Sequence, residues 1–385
     1  MKLSNLKPYP LKYIVWPTIS LTIFITGFYL STNSGLSLNY STDSFWLRSL
    51  AENYGSGNGL IGPDGKELIY WVPLYPLLLS VWLAQIDLFA LLINLFSISG
   101  VFFLANVTFK MELERPSAKL VYATSLILST PLLMITVFFW TEAIFLFFLM
   151  LFIYGLINYL NTGSKLHLAG WIIAGWIMLM MRNAGIFFIP GAVLWILLQK
   201  EKRFYDKLTF LVFLLVMFSG FLSWNIYKII ILTNINVIGE LLPAFTPVIN
   251  FALVTNEIGK YLVPDIGFYF SSLVGTGFIG GVFYLAIKSP GKRISLVYLM
   301  ALSYIFTFFI IPPDPSDVSR YLAPVIPLIL VASSGYLSKI LVSNRLNPWL
   351  GKMILFSVYC YFLIRIIKNI GVWAQIDIYN YFRFA

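Results

Sequence analysis

The sequence predicts an all-α polytopic membrane protein, on three observations. Apolar stretches long enough to cross about 30 Å of hydrocarbon recur from one end to the other. Of the 385 residues, 59% are hydrophobic and only 11% charged. The basic residues gather in alternate connections between the apolar stretches, as they do in membrane proteins of defined orientation. A soluble domain with a single core is excluded by this composition.

The apolar stretches lie at 12–31, 88–109, 120–139, 143–160, 168–181, 185–199, 208–232, 266–287, 294–311, 322–342 and 351–371, about eleven spans. The first carries Pro17 in its body and no small-x-small cleavage site follows, so it reads as a retained span and not a signal peptide. Between the first two spans lies a long outer segment, 32–72. Within it, Phe45, Trp46, Leu47, Leu50 and Ala51 oppose Arg48, Ser49 and Glu52 on a predicted helix over 44–53, suited to the headgroup level. A flexible run, Gly55-Ser56-Gly57-Asn58-Gly59, follows it, and Tyr70 and Trp71 fit the aromatic belt at re-entry.

Pro73 and Pro76 open the segment 71–85, which reads as an interfacial or re-entrant piece; as a full span it would put Lys110, Arg115 and Lys119 outside. The stretch 168–181 is short, a tilted partner or one joined to the next through Arg182-Asn183. A second long outer segment, 233–265, holds Glu240, Glu257 and Asp265 among several prolines, and is expected to close as a lid. Pro312-Pro313 and the acids Asp314 and Asp317 form a predicted rigid outer turn before the span that Arg320 opens. Arg365 and Lys368 fall inside the last span, and the aromatic tail after Gly371 is expected at the outer interface. No internal repeat or long linker divides the chain, so residues 1–385 read as one integral domain.

Basic clusters precede the first span and lie around Lys110–Lys119, Lys200–Lys207, Lys288–Arg293 and Lys339–Lys352. They all fall on one side, which the positive-inside rule makes the cytoplasm, with the N-terminus there and the chain integral to the cytoplasmic membrane. The opposite side receives Asp43, Glu52, Glu142, Glu240 and Asp314. Spread through the inner loops, the net charge of +10 needs no nucleic acid. Cys360 is the only cysteine and His167 the only histidine, which removes disulfides, imidazole metal centres and outer-face Ser-His-Asp hydrolysis.

Four charged residues at the outer boundary need a reason to be there. Asp43, in Ser41-Thr42-Asp43-Ser44, is either the N-cap of the helix after it or a functional acid: a base toward an acceptor hydroxyl, or a ligand for a divalent cation. Glu142 follows Trp140-Thr141 with apolar residues on both sides, an expensive position unless paired or facing a wet cavity. It either complements the dipole of the next helix or is a second active-site acid. Arg182 and Arg320 break the positive-inside trend. A guanidinium there can grip a phosphate with two donors, snorkel, or pair with an acid such as Asp314 or Asp317.

In order along the chain, Asp43, the Gly-rich loop, Trp71-Val72-Pro73-Leu74-Tyr75-Pro76, Thr141-Glu142, Arg182-Asn183-Ala184-Gly185 and Arg320-Tyr321-Leu322-Ala323-Pro324 resemble the GT-C glycosyltransferases. The resemblance is to the branch that includes protein O-mannosyltransferases and aminoarabinose transferases. It implies a GT-C-like bundle that transfers a sugar, with inversion, from a polyprenyl-phosphate donor to a lipid, glycan or protein acceptor outside the membrane. It further implies that Asp43 and Glu142 are the catalytic acids, with a divalent cation (Mg or Mn) between them as an option. Arg182, Arg320 and Tyr321 would contact the donor phosphate. The chain departs from the pattern in having a single Asp where relatives have an adjacent acidic pair. A transporter or flippase for a lipid-linked saccharide is the competing class; it would call for charges or broken helices near mid-membrane and often a repeat, whereas here the acids cluster outside and no repeat appears.

Overall fold

The computed structural model describes residues 41–67, 71–110, 113, 116–127, 129–199, 204–231, 247–262, 267–288, 293–310, 318–341 and scattered positions between 349 and 364. The expected first span, the aromatic tail, Arg365, Lys368, Asp314 and Asp317 lie outside these residues. Among the described residues every regular element is helical, and one antiparallel bridge, Ile61 to Glu67, closes the first outer loop.

The chain forms α1 (Thr42–Gly55), α2 (Leu74–Leu79), a 3-10 segment (Ser80–Gln85) and α3 (Ile86–Thr108). After these come α4 (Pro116–Ile127), α5 (Thr130–Val137), α6 (Glu142–Thr162), α7 (Lys165–Met181), a second 3-10 segment (Asn183–Phe188) and α8 (Ile189–Leu197). The remainder is α9 (Phe204–Ile231), α10 (Pro247–Leu262), α11 (Phe268–Lys288), α12 (Arg293–Ile310), α13 (Val318–Leu322) and α14 (Ile326–Leu341). Among the described residues, five stretches are long and apolar enough to span a membrane: Leu74–Thr108, Glu142–Thr162, Lys207–Lys228, Phe268–Lys288 and Arg293–Ile310.

Two expected spans are broken into shorter helices. The stretch 120–139 divides at Ser129, where Pro131 sits in the first turn of α5 and supplies no amide to continue α4. The stretch 322–342 divides at a turn through Ala323, Pro324 and Val325, which separates α13 from α14. Segment 71–85 is the short α2 followed by the 3-10 segment, where Trp82 (φ −135°, ψ 61°) leaves helical geometry before α3 begins. Residues 247–262 of the expected lid form α10, with Val254 and Thr255 fully buried against the bundle. The rest of that segment lies outside the described residues.

Packing follows from small residues where helix axes must approach. A Cβ on Gly259 would lie 1.8 Å from the Ser271 carbonyl oxygen, and one on Gly275 1.8 Å from that of Thr255, so α10 and α11 meet backbone to backbone. Gly155 likewise admits the Trp171 backbone, joining α6 to α7. The main core runs through α6, α7, α8 and α12, with Trp171, Phe152, Phe188 and Tyr304 fully buried. A second cluster seats α1: Leu47 and Ala51 pack with Tyr75, Leu79, Ile86, Phe139 and Ile144. Phe45, on the other side of α1, is exposed.

Candidate active site

The first turn of α1 is set by Ser41, which is its N-cap (φ −117°, ψ 176°). The Ser44 amide donates to Ser41 Oγ at 3.4 Å, and the Ser41 amide to Ser44 Oγ at 3.0 Å, a reciprocal capping box. The capping alternative for Asp43 is therefore corrected: the cap is two residues earlier, because Ser41 is followed at the right spacing by a second hydroxyl. Asp43 stands in the first turn with its side chain 30% exposed, and its Oδ2 lies 2.6 Å from Nη1 of Arg320.

Glu142 opens α6 and has no exposed surface. Its Oε1 pairs with both Nη1 of Arg182 and Nε of Arg320. Thr141 Oγ1 stands 3.4 Å from Glu142 Oε2 and accepts from Arg182 Nη1 at 3.4 Å. A carboxylate in such a place is tolerated only because two guanidinium groups share it. Arg182 reaches it because α7 ends at an extended residue (φ −156°, ψ 130°), and its guanidinium carbon also lies 5.8 Å above the Tyr321 ring.

Arg320 is 5% exposed, on the single-turn α13. Burial disfavours its charge, but the Glu142 and Asp43 carboxylates outweigh that effect and raise its pKa. Its guanidinium carbon lies 4.1 Å over the ring of Trp140, whose Nε1 donates to Ser41 Oγ at 2.7 Å. Tyr304 Oη donates to the Tyr321 carbonyl at 2.9 Å and its ring stacks on Phe188 at 4.3 Å, which holds α13 against α12 and the second 3-10 segment. From the other side, buried Asn94 on α3 donates to the Thr136 and Phe138 carbonyls at 3.2 and 3.1 Å, fixing the connection that carries Trp140.

Asp43, Glu142, Arg182 and Arg320 therefore form one continuous ionic cluster, with Tyr321 against Arg182. Among the described residues Arg320 pairs with Asp43 and Glu142, both drawn from distant segments of the chain. Trp140 and Ser41 belong to the cluster and were not singled out from the sequence, since a tryptophan and a serine at a membrane boundary usually mean a belt and a cap. Further along α1, Arg48 bridges Glu52 (2.8 Å) and Asp87 (3.0 Å) near the surface.

Among the described residues no group of three or more His, Cys, Asp or Glu side chains converges. The two carboxylates present already face guanidinium groups, whose charge would repel a cation.

No family model and no curated protein matches the sequence. Among solved structures, the chain is similar to the crystal structure of ArnT from Cupriavidus metallidurans bound to undecaprenyl phosphate. The TM-score is 0.60 at 13% identity, over 91% of this chain and 64% of that one. It is also similar to ArnT of the same organism in the apo state, with a TM-score of 0.57 at 12% identity, over 94% of this chain and 74% of that one. The chain thus spans somewhat under two thirds of the lipid-bound ArnT chain. The fold is that of a multi-pass, all-α, GT-C-like membrane protein.

Proposed function

We propose that this chain is a membrane glycosyltransferase that moves a sugar from a polyprenyl-phosphate-linked donor to a lipid, glycan or protein acceptor at the outer face of the cytoplasmic membrane, with inversion. The observation that carries the reading is the ionic cluster, which sets a partly exposed carboxylate, Asp43, beside two oriented guanidinium groups within a GT-C-like bundle. The ArnT structure with undecaprenyl phosphate supports a polyprenyl phosphate as the lipid.

The roles divide by exposure. Asp43 takes the proton of the acceptor hydroxyl as its oxygen attacks the anomeric carbon; the bond from that carbon to the phosphate oxygen breaks, and its electron pair leaves with the phosphate. Arg320 and Arg182 offset the growing phosphate charge. Glu142, enclosed between them, is a positioning residue that aims both guanidiniums. Before donor binds, Arg320 is shared by both carboxylates. A donor phosphate competes with Asp43 for Nη1, so donor binding itself releases the base toward the acceptor. Ordered binding, donor first, follows.

The test is transfer by purified protein from an undecaprenyl-phosphate sugar, with release of undecaprenyl phosphate as the readout. Asp43→Asn should leave the protein folded while lowering turnover about 10²- to 10⁴-fold, the usual worth of a general base. Near-normal turnover in that variant would remove Asp43 as the base. Movement of the intact lipid-linked saccharide between leaflets, with no bond broken, would favour a transporter.

A further inference from the structure

We infer that Trp140 is a positioning residue that keeps Arg320 aimed once the donor phosphate has displaced Asp43, an inference that rests on the proposed donor site.

A guanidinium has a planar face and a hydrogen-bonding edge. Two carboxylates hold the edge of Arg320: Glu142 at Nε and Asp43 at Nη1. Trp140 holds the face, its ring 4.1 Å from the guanidinium carbon. When donor takes over Nη1, Asp43 no longer restrains that edge. The contacts with Glu142 and with the indole face remain, and both keep the plane pointed at the phosphate.

The ring is built for this task. Trp140 is 3% exposed, so it is not an aromatic-belt residue in contact with headgroups. Phe138 stacks on it with centroids 4.3 Å apart and planes 13° from parallel. The indole therefore packs against both Phe138 and the Arg320 guanidinium. Its Nε1 hydrogen bond to Ser41 ties its rotation to the N-cap of the helix bearing Asp43. Base and phosphate ligand are thereby referenced to a single side chain. In this desolvated setting an arginine over an indole is at the upper end of cation–π strengths, equivalent to roughly a five- to thirtyfold change in a rate or binding constant.

The experiment compares Trp140→Met and Trp140→Phe, each alone and in the Arg320→Lys background. The readouts are kcat/KM for an undecaprenyl-phosphate sugar and melting temperature with and without undecaprenyl phosphate. Trp140→Met should lower donor kcat/KM by roughly five- to thirtyfold and shrink the thermal shift given by undecaprenyl phosphate. Trp140→Phe, which keeps a weaker ring face, should lose only about two- to fivefold. Both losses should nearly vanish in Arg320→Lys, where no guanidinium plane remains to be aimed. If Trp140→Met fails to fold, Trp140→Phe and its double variant carry the same comparison. Losses undiminished by Arg320→Lys, or variants that lower melting temperature while kcat/KM per folded protein is unchanged, overturn the positioning role. A wild-type protein that neither transfers sugar nor is stabilised by undecaprenyl phosphate overturns the donor reading instead; the coupling of Trp140 with Arg320 would still be read in the apo melting temperatures.

Discussion

At the scale of single residues, the two acids of the cluster differ in what surrounds them, and their amide variants should separate accordingly. Glu142→Gln leaves two buried guanidiniums without their shared anion, and should cost about 3–5 kcal/mol of stability, read as a large fall in melting temperature. Asp43→Asn removes the charge of a carboxylate that is 30% exposed and leaves Arg320 its Glu142 contact, so it should cost less stability than Glu142→Gln while lowering turnover about 10²- to 10⁴-fold. Arg320→Lys keeps a charge but not the fork that reaches both acids, so it should weaken donor dependence more than stability; Arg320→Ala should weaken it further. Unchanged donor dependence in both would remove Arg320 from the donor site. The charged members of this cluster were legible in the sequence because a charge at an apolar boundary is costly and demands a reason. Trp140 was not, since its identity as an arginine platform depends on a residue 180 positions away. Capping stays open as one alternative for Asp43 in the sequence because Asp is a preferred N-cap; in the structure the hydroxyl pair Ser41 and Ser44 takes that role.

At the scale of elements, positions of most spans followed from hydropathy, but not where they break. Pro131 and Pro324 are compatible with either a kinked span or two shorter helices, since proline is tolerated in membrane helices when neighbours satisfy the freed carbonyls. The outcome depends on what packs beside them. Likewise, residues 247–262 read as part of a loop because Asn250, Thr255, Asn256, Glu257 and Lys260 dilute the apolar signal. The helix forms because its small residues admit α11. Gly259→Leu should therefore part α10 from α11 and destabilise by at least the 1–3 kcal/mol typical of overpacking, whereas Gly280→Ala, whose Cβ meets nothing within 4 Å, should not. Melting temperatures of the two variants in detergent check this; equal stability would mean that the close crossing is not required.

At the scale of the whole molecule, the cluster gathers the start of α1, the start of α6, the end of α7 and α13 at one end of the bundle. On the proposed reading that end is the outer face, as the distribution of basic residues predicts. In a Cys360→Ser background, Ser56→Cys in the first outer loop should react with a membrane-impermeant maleimide in intact spheroplasts. Thr162→Cys, at the far end of α6, should react only after permeabilisation. The reverse pattern would place the cluster in the cytoplasm and with it the chemistry. The wide sequence spacing of the cluster also bears on biosynthesis. As helices enter the membrane in order, Glu142 meets Arg182 early, but the arginine that joins both acids arrives only with α13, late in translation. Until then Asp43 lacks its Arg320 partner, and α1 is tied to α3 near the surface through Arg48 and Asp87 but not to α6 and α13 at its N-terminal end. A chain ending after α12 should accordingly be cleared rapidly by membrane proteases in pulse-chase labelling, while the full chain persists. The ionic centre that serves the reaction would thus also act as the last checkpoint of assembly, since every segment it needs must already be inserted when it closes.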